Sequence, residues 1–143
     1  MILLVVFTMT GCGLSDWTYE LNGGYEIWRL NSRDIQLVYR ERGENFAEIL
    51  INNYFVTDFS VNEGFIGVKG IPYADEVASE EDLASDTRVF YLLDVTSGEL
   101  YGPFESKTEY DAKCLELSTG EMNPWKNTEG LGVEADKQKR EGE

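Results

Sequence analysis

The apolar residues of this chain come in short runs broken by turn-forming residues, several of them alternating with polar neighbours. That pattern commits most of the chain to extended structure. In Arg33–Arg40, Ile35, Leu37 and Tyr39 alternate with mostly polar residues and so share one face of a half-buried strand. Tyr25–Leu30 is the strand before it, between a turn at Asn22-Gly23-Gly24 and a second at Asn31-Ser32. Glycine suits the first turn because it takes a positive φ without steric cost. Leu14–Asn22 holds a short tether and a first strand, and Glu41–Asn45 is a polar loop around Gly43. Ala47–Val56 and Ser60–Lys69 read as two further extended segments, the second punctuated by Gly64 and Gly67 with Gly70 just beyond. Arg88–Val95 is apolar on both faces, as a central strand covered on both sides would be. Thr96-Ser97-Gly98-Glu99 turns it into Leu100–Phe104, where Pro103 lacks an amide donor and marks an edge or a strand end.

A helix follows these strands. Ser106 and Glu109 form a capping-box pair, and Tyr110, Cys114 and Leu117 fall at helical spacing to face the sheet. Residues 71–87 form an acidic insertion carrying Asp75, Glu76, Glu80, Glu81, Asp82 and Asp86, in which Ser79 and Asp82 can cap one helical turn. From Ser118 onward the chain is polar, with Gly120, Pro124, Gly130 and Gly132, and is expected to be largely disordered, with Trp125 docking locally. The layout predicts an α+β fold: a mainly antiparallel sheet of about five to seven strands with one C-terminal helix packed on a face. The alternative is an all-β small sandwich or partly open barrel. Residues 12–118 are expected to be one globular domain and 119–143 a polar tail.

The 27 acidic and 12 basic side chains of the 143 residues give a net charge of −15. A surplus of this sign argues against nucleic-acid binding and against electrostatic docking on anionic lipid, both of which need clustered Lys and Arg. It favours solubility, and it steers basic partners towards the surface. There is no histidine. That removes Ser-His and Cys-His nucleophile pairs, imidazole bases and His metal ligands. The insertion's carboxylates lack the spacing of a calcium loop, so no metal and no cofactor are expected. Paired carboxylates for glycan hydrolysis arise by chance in any acidic chain. Cys114 would need an activating base, and Lys113 beside it points elsewhere on a helix. No catalytic residue is assigned. Trp17, Trp28, Tyr25 and Tyr54 could form a recognition surface or fill the core. Lys137–Arg140 is a basic cluster within an acidic tail, most simply solvated.

Ile2–Phe7 is an apolar run too short to cross a bilayer, which needs about 20 residues. Thr8-Met9-Thr10-Gly11-Cys12 follows it, and the run matches the apolar part of an export signal ending in small residues. Met9-Thr10-Gly11-Cys12 resembles the lipobox of bacterial lipoproteins. The resemblance implies a diacylglyceryl thioether on Cys12 and cleavage between Gly11 and Cys12. Residues 1–11 then form the signal peptide. No Lys or Arg precedes the apolar run, so a few basic residues are expected upstream of Met1. The competing reading is a buried N-terminal strand of a cytosolic domain, for which Gly11-Cys12-Gly13 is an awkward ending. A Cys12–Cys114 disulfide is an alternative use of the two cysteines, whose contexts differ.

Gly11-Cys12-Gly13-Leu14-Ser15-Asp16, Gly24-Tyr25-Glu26-Ile27, Tyr91-Leu92-Leu93-Asp94 and Tyr101-Gly102-Pro103-Phe104 before a charged helix carry a family resemblance. Together they are similar to a family of small bacterial lipoproteins known as domain of unknown function 3997, over roughly residues 9 to 118. The resemblance implies secretion and lipidation on Cys12 and supplies no activity. The functional expectation is therefore a non-enzymatic binding module, lipid-anchored on the outer face of the cytoplasmic membrane. It extends to an inhibitor or immunity-type protein for a basic partner. The alternative is an envelope hydrolase using paired carboxylates.

Overall fold

The computed structural model describes residues 3–6, 16–41 and 43–141. Their strands form two antiparallel sheets of five, packed face to face. Sheet A contains, in spatial order, β1 (Leu3–Val6), β5 (Phe46–Ile49), β4 (Asp34–Tyr39), β3 (Tyr25–Asn31) and β2 (Trp17–Glu20). Sheet B contains β10 (Lys126–Asn127), β6 (Tyr54–Val61), β7 (Phe65–Pro72), β8 (Val89–Asp94) and β9 (Leu100–Phe104). Three helices complete the description: α1 (Glu80–Leu83), α2 (Lys107–Glu116) and α3 (Gly132–Glu141). The expected mainly antiparallel architecture with a helix packed on a face is the one observed, distributed over two sheets with no closed barrel.

Alternation builds the layer between the sheets. Ile27 pairs with Leu37 on one side and Tyr19 on the other, so the three side chains share the inner face of sheet A. Opposite them stand Val56, Phe59, Ile66, Val68 and Leu93 of sheet B, all buried. The segment expected over Ala47–Val56 divides, because the chain changes sheets there. Asn53 takes a positive φ of 55°, which asparagine tolerates better than most residues, and Ile51 is sunk in the core. Ser60–Lys69 divides too. Asn62 Oδ1 accepts from the Gly64 and Phe65 amides at 3.0 and 2.9 Å, an Asx turn that reverses β6 into β7.

The outer face of sheet B carries α2. Ser106 Oγ accepts from Glu109 N at 3.2 Å, and Glu109 Oε2 accepts from Glu105 N at 3.0 Å, which together fix the start of that helix. Tyr110 then lies on Phe90 and Leu92, with Phe104, Cys114, Leu117 and Trp125 around it. β8 is thus covered on both sides, and Trp125 docks as expected. The helix approaches closely because Gly67 of β7 has no side chain.

The segment after Ser118 differs from the expected disordered tail. β10 pairs with β6, and α3 lies along β2, with Leu131 and Ala135 buried. Two apolar residues in an otherwise polar stretch are a weak sequence signal. Here they are reinforced by Thr128, whose N–H donates to Thr57 O at 2.8 Å and whose hydroxyl donates to Val56 O at 3.0 Å.

Gly11 and Cys12 lie outside the described residues. Leu3–Val6 falls within the segment the export-signal reading removes, and it pairs with β5 from Leu3↔Ile49 to Val6↔Phe46. It occupies an edge of sheet A, so β5, β4, β3 and β2 remain contiguous without it.

A Cβ on Gly67 would overlap the Tyr110 hydroxyl. That hydroxyl faces the Cys114 thiol, a weak partner, and meets no nitrogen or oxygen partner among the described residues. Gly67→Ala is expected to lower stability by about 1–3 kcal/mol in urea denaturation. Tyr110→Phe is expected to cost under about 1 kcal/mol, because it removes an unsatisfied buried group.

Candidate functional site

A cavity of about 590 Å³ opens where the β3–β4 turn, the end of β7 and the start of β8 meet the segment that leads into α3. Sheet A contributes one cross-strand row. Trp17 of β2 pairs with Arg29 of β3, and Arg29 pairs with Ile35 of β4. Tyr25, Ile27 and Arg29 alternate along β3, so Arg29 takes the next position on the apolar inner face. Sheet B contributes Phe55, paired with Ile71, and Arg88, which immediately precedes Val89. Val89 in turn pairs with Gly70, the neighbour of Ile71. Leu83 of α1 and residues Asn127 to Gly130, with Gly132 and Val133, close the remaining side.

Both arginines are half-buried. Arg88 Nη1 donates to Ser85 O at 2.7 Å and Thr87 O at 3.0 Å, so backbone carbonyls hold it in place. No carboxylate pairs with it among the described residues. Asp58 and Glu129 also line the cavity, and Asn127 Nδ2 donates to Asp58 Oδ2 at 3.4 Å. Two arginines against two carboxylates make the cavity formally neutral in a chain of charge −15. An apolar floor with a few convergent polar groups is what ligand sites generally present, and their volumes run from about 300 to 1,000 Å³.

The other candidates disperse. Trp28 and Tyr54 are each 1% exposed and Tyr25 is buried, so three of the four aromatics fill the interior. Only Trp17 reaches a concave surface. Tyr54 donates to Val89 O, and burial raises its pKa far above the ordinary phenol value. Among the described residues no group of three or more His, Cys, Asp or Glu is placed to hold a metal ion. In the acidic insertion, Glu80 pairs with Arg33 at 3.2 Å and Asp82 accepts from Ser79 N as part of a capping box. Cys114 carries no disulfide, and burial raises its thiol pKa, the opposite of what activates a nucleophile. Lys113 pairs with Glu116 and lies over the Tyr101 ring. The basic cluster on α3 is solvent-facing for the most part, and Lys126 pairs with Glu134.

Sequence reading did not single out Arg29 or Arg88. A signal existed for the first: a cation following Tyr25 and Ile27 on an apolar face interrupts the alternation. Arg88 carried none, since an arginine opening a strand is ordinary.

The segment after Asn127 supplies one wall of this cavity, and Thr128 fixes it to β6. Thr128→Val is expected to cost about 1–2 kcal/mol and to speed limited proteolysis within residues 118–141 before the sheets unfold. Equal cleavage rates in variant and parent would show that the wall is held by something else.

The family model described as Protein of unknown function (DUF3997) matches residues 22–122, and the chain belongs to that family. No curated protein and no solved structure matches the chain. The matched span includes Arg29, Phe55, Ile71 and Arg88, whereas Trp17 and the wall from Asn127 to Val133 lie outside it.

Proposed function

We propose that this family member is a lipid-anchored binding module on the extracytoplasmic face of a bacterial cell membrane, and that it acts without chemistry of its own. The observation that carries the binding part is the cavity: apolar, entered by two arginines, and formally neutral within an acidic molecule. The anchoring part is supported by the lipobox-like Met9-Thr10-Gly11-Cys12. Two acyl chains on Cys12 would hold the protein stably where one gives marginal binding. No helix among the described residues is long and apolar enough to cross a membrane. Processing after Gly11 removes a strand at the edge of sheet A and leaves β5, β4, β3 and β2 contiguous.

The surface charge supports a protein ligand of opposite sign, such as a basic toxin or hydrolase held in check by an inhibitor or immunity-type protein. Most of the acidic insertion is solvent-exposed, and it adjoins the cavity through Leu83. The alternative, an envelope hydrolase with paired carboxylates, has one specific anchor: Asp58 and Glu129 line the same cavity.

Mass spectrometry of the N-terminal peptide from the native membrane fraction tests the anchor. A diacylglyceryl-modified Cys12 at the mature terminus is expected, and Cys12→Ser is expected to leave the protein out of the lipid-modified fraction. An unmodified peptide that retains Leu3–Val6 would return the chain to the strand-forming reading of its N-terminus. For a basic partner recovered by crosslinking, the association rate is expected to fall at least tenfold between roughly 0.05 and 0.5 M salt. A rate indifferent to salt would remove the charge-steering argument.

A further inference from the structure

We propose that β5 becomes the free edge of sheet A once residues 1–11 are removed, and that a basic partner protein docks there by adding one antiparallel strand in the place of β1. This rests on the lipid-anchored reading above and names the surface and the recognition mode that such a module would use.

A free strand edge presents a row of unpaired N–H and C=O groups, and folded proteins normally protect it. Among the described residues the other three sheet edges are protected. At β2, α3 lies alongside, Gln138 Oε1 accepts from Glu20 N at 2.6 Å, and Gln138 Nε2 donates to Glu20 O at 3.2 Å. β9 carries Pro103, which has no amide to donate, and its pairing with β8 shifts register. β10 is two residues long, too short to template a strand. β5 has no such device: Phe46-Ala47-Glu48-Ile49 contains no proline, glycine or lysine, and its neighbours in the sheet are β1 and β4.

β1 shows what the edge accepts. Four residues pair in unbroken antiparallel register, Leu3↔Ile49, Leu4↔Glu48, Val5↔Ala47 and Val6↔Phe46. β5 itself stays on β4 through Val38↔Ile49 and Tyr39↔Glu48, with Leu50 N donating to Leu37 O at 3.1 Å. Removing β1 thus frees a ladder while the strand that carries it keeps its own support. Ala47 and Ile49 are buried and continue the apolar cluster of Trp28 and Val38 on the outer face of sheet A. An added strand therefore meets an apolar surface at alternate positions. Phe46 and Glu48 alternate to the other face, where Phe46 is 40% exposed.

The chemistry of the occupant follows from Glu48 and the net charge. Self-pairing would bring together two chains of charge −15 and is opposed at long range. A cation directly opposite Glu48, in the position that Leu4 holds, is favoured in an antiparallel pair. The partner strand is therefore extended, apolar at the residues opposite Ile49 and Ala47, and basic between them. Main-chain hydrogen bonds supply the affinity, and those alternate side chains supply the selectivity.

Fluorescence polarisation with fluorescein-labelled Thr-Leu-Lys-Val-Val-Thr-amide tests the docking on two forms of the protein. One is the processed lipoprotein from the native membrane fraction, held in nanodiscs with empty discs as the blank. The other is the unprocessed full chain carrying Cys12→Ser. The peptide is expected to bind the processed form at least tenfold more tightly than the unprocessed one, whose edge β1 fills. Glutamate in place of the peptide's lysine is expected to weaken binding at least tenfold. Glu48→Lys is expected to invert that order, with an unchanged urea midpoint in the full chain. Should Glu48→Lys fail to fold, the two peptides on the parent protein decide the charge preference. N-methylation of the peptide residue opposite Ala47 in one copy, and opposite Glu48 in another, is expected to abolish binding in one copy only. A strand turns alternate amides towards its partner, so the other copy keeps its hydrogen bonds. Equal binding to both forms, no binding, or indifference to both methyl groups overturns strand addition at β5. A processed protein that dimerises and is split by the peptide gives the edge to a second copy and overturns the basic partner. Leu3–Val6 retained on the native protein overturns the anchoring reading itself, and the proposal with it, because the edge is then permanently filled.

Discussion

The apolar layer between the two sheets is the constraint from which the remaining features follow. Ile27 and Leu37 on one side meet Val56, Phe59, Ile66 and Val68 on the other, and all six are at most 3% exposed. Burial of this kind contributes on the order of 1.5–3 kcal/mol per large side chain, so the layer sets how far apart the sheets lie and which faces turn inward. The cavity begins where the layer runs out. One position beyond Ile27 on the same face the side chain is Arg29, and its neighbours Trp17 and Ile35 belong to the edge of that layer and line the opening as well. A ligand site placed there inherits rigid walls on its sheet side, where Trp17, Arg29, Ile35, Phe55 and Ile71 sit on strands held by the same packing.

Sheet A carries charged side chains on both of its faces. On the outer face Glu26 is 4% exposed, yet it accepts from Arg40 Nε at 2.8 Å and from Trp28 Nε1 at 3.1 Å. That carboxylate has its counter-charge and its donors supplied from the same sheet, and a pair of this sort does structural service. On the inner face Arg29 shares its row with Trp17 and Ile35, and all three line the cavity together with Asp58 and Glu129.

Much of the scaffold was legible because it depends on local chemistry. Alternation in Ile35, Leu37 and Tyr39 located β4, Ser106 and Glu109 located α2, and Pro103 marked β9 as an edge. The missed boundaries have two origins, one a turn inside an apolar run and the other contacts with distant residues. Asn53 and Asn62 reverse or redirect a run whose apolar character continues on both sides, so composition alone could not divide it. The segment from Ser118 reads as polar because its structure hangs on Leu131, Ala135 and one threonine bound to β6, partners some seventy positions away. The cavity was illegible for the same reason: Trp17, Arg29, Arg88 and Thr128 come together only once both sheets and that segment are assembled.

Thr128 and α3 add an order of events. Gln138 exchanges hydrogen bonds with the Glu20 backbone across 118 positions, and Thr128 reaches back 72 to Val56. Contacts that span so much chain are slow to close and come after local pairing. As the polypeptide emerges, from a ribosome or through a translocation channel, the hairpins can register and the layer between them can begin to form while residues 126–141 are still to arrive. The pocket is thus acquired last, and an emerging chain passes through a stage that is folded in outline but has no binding surface to engage a partner prematurely.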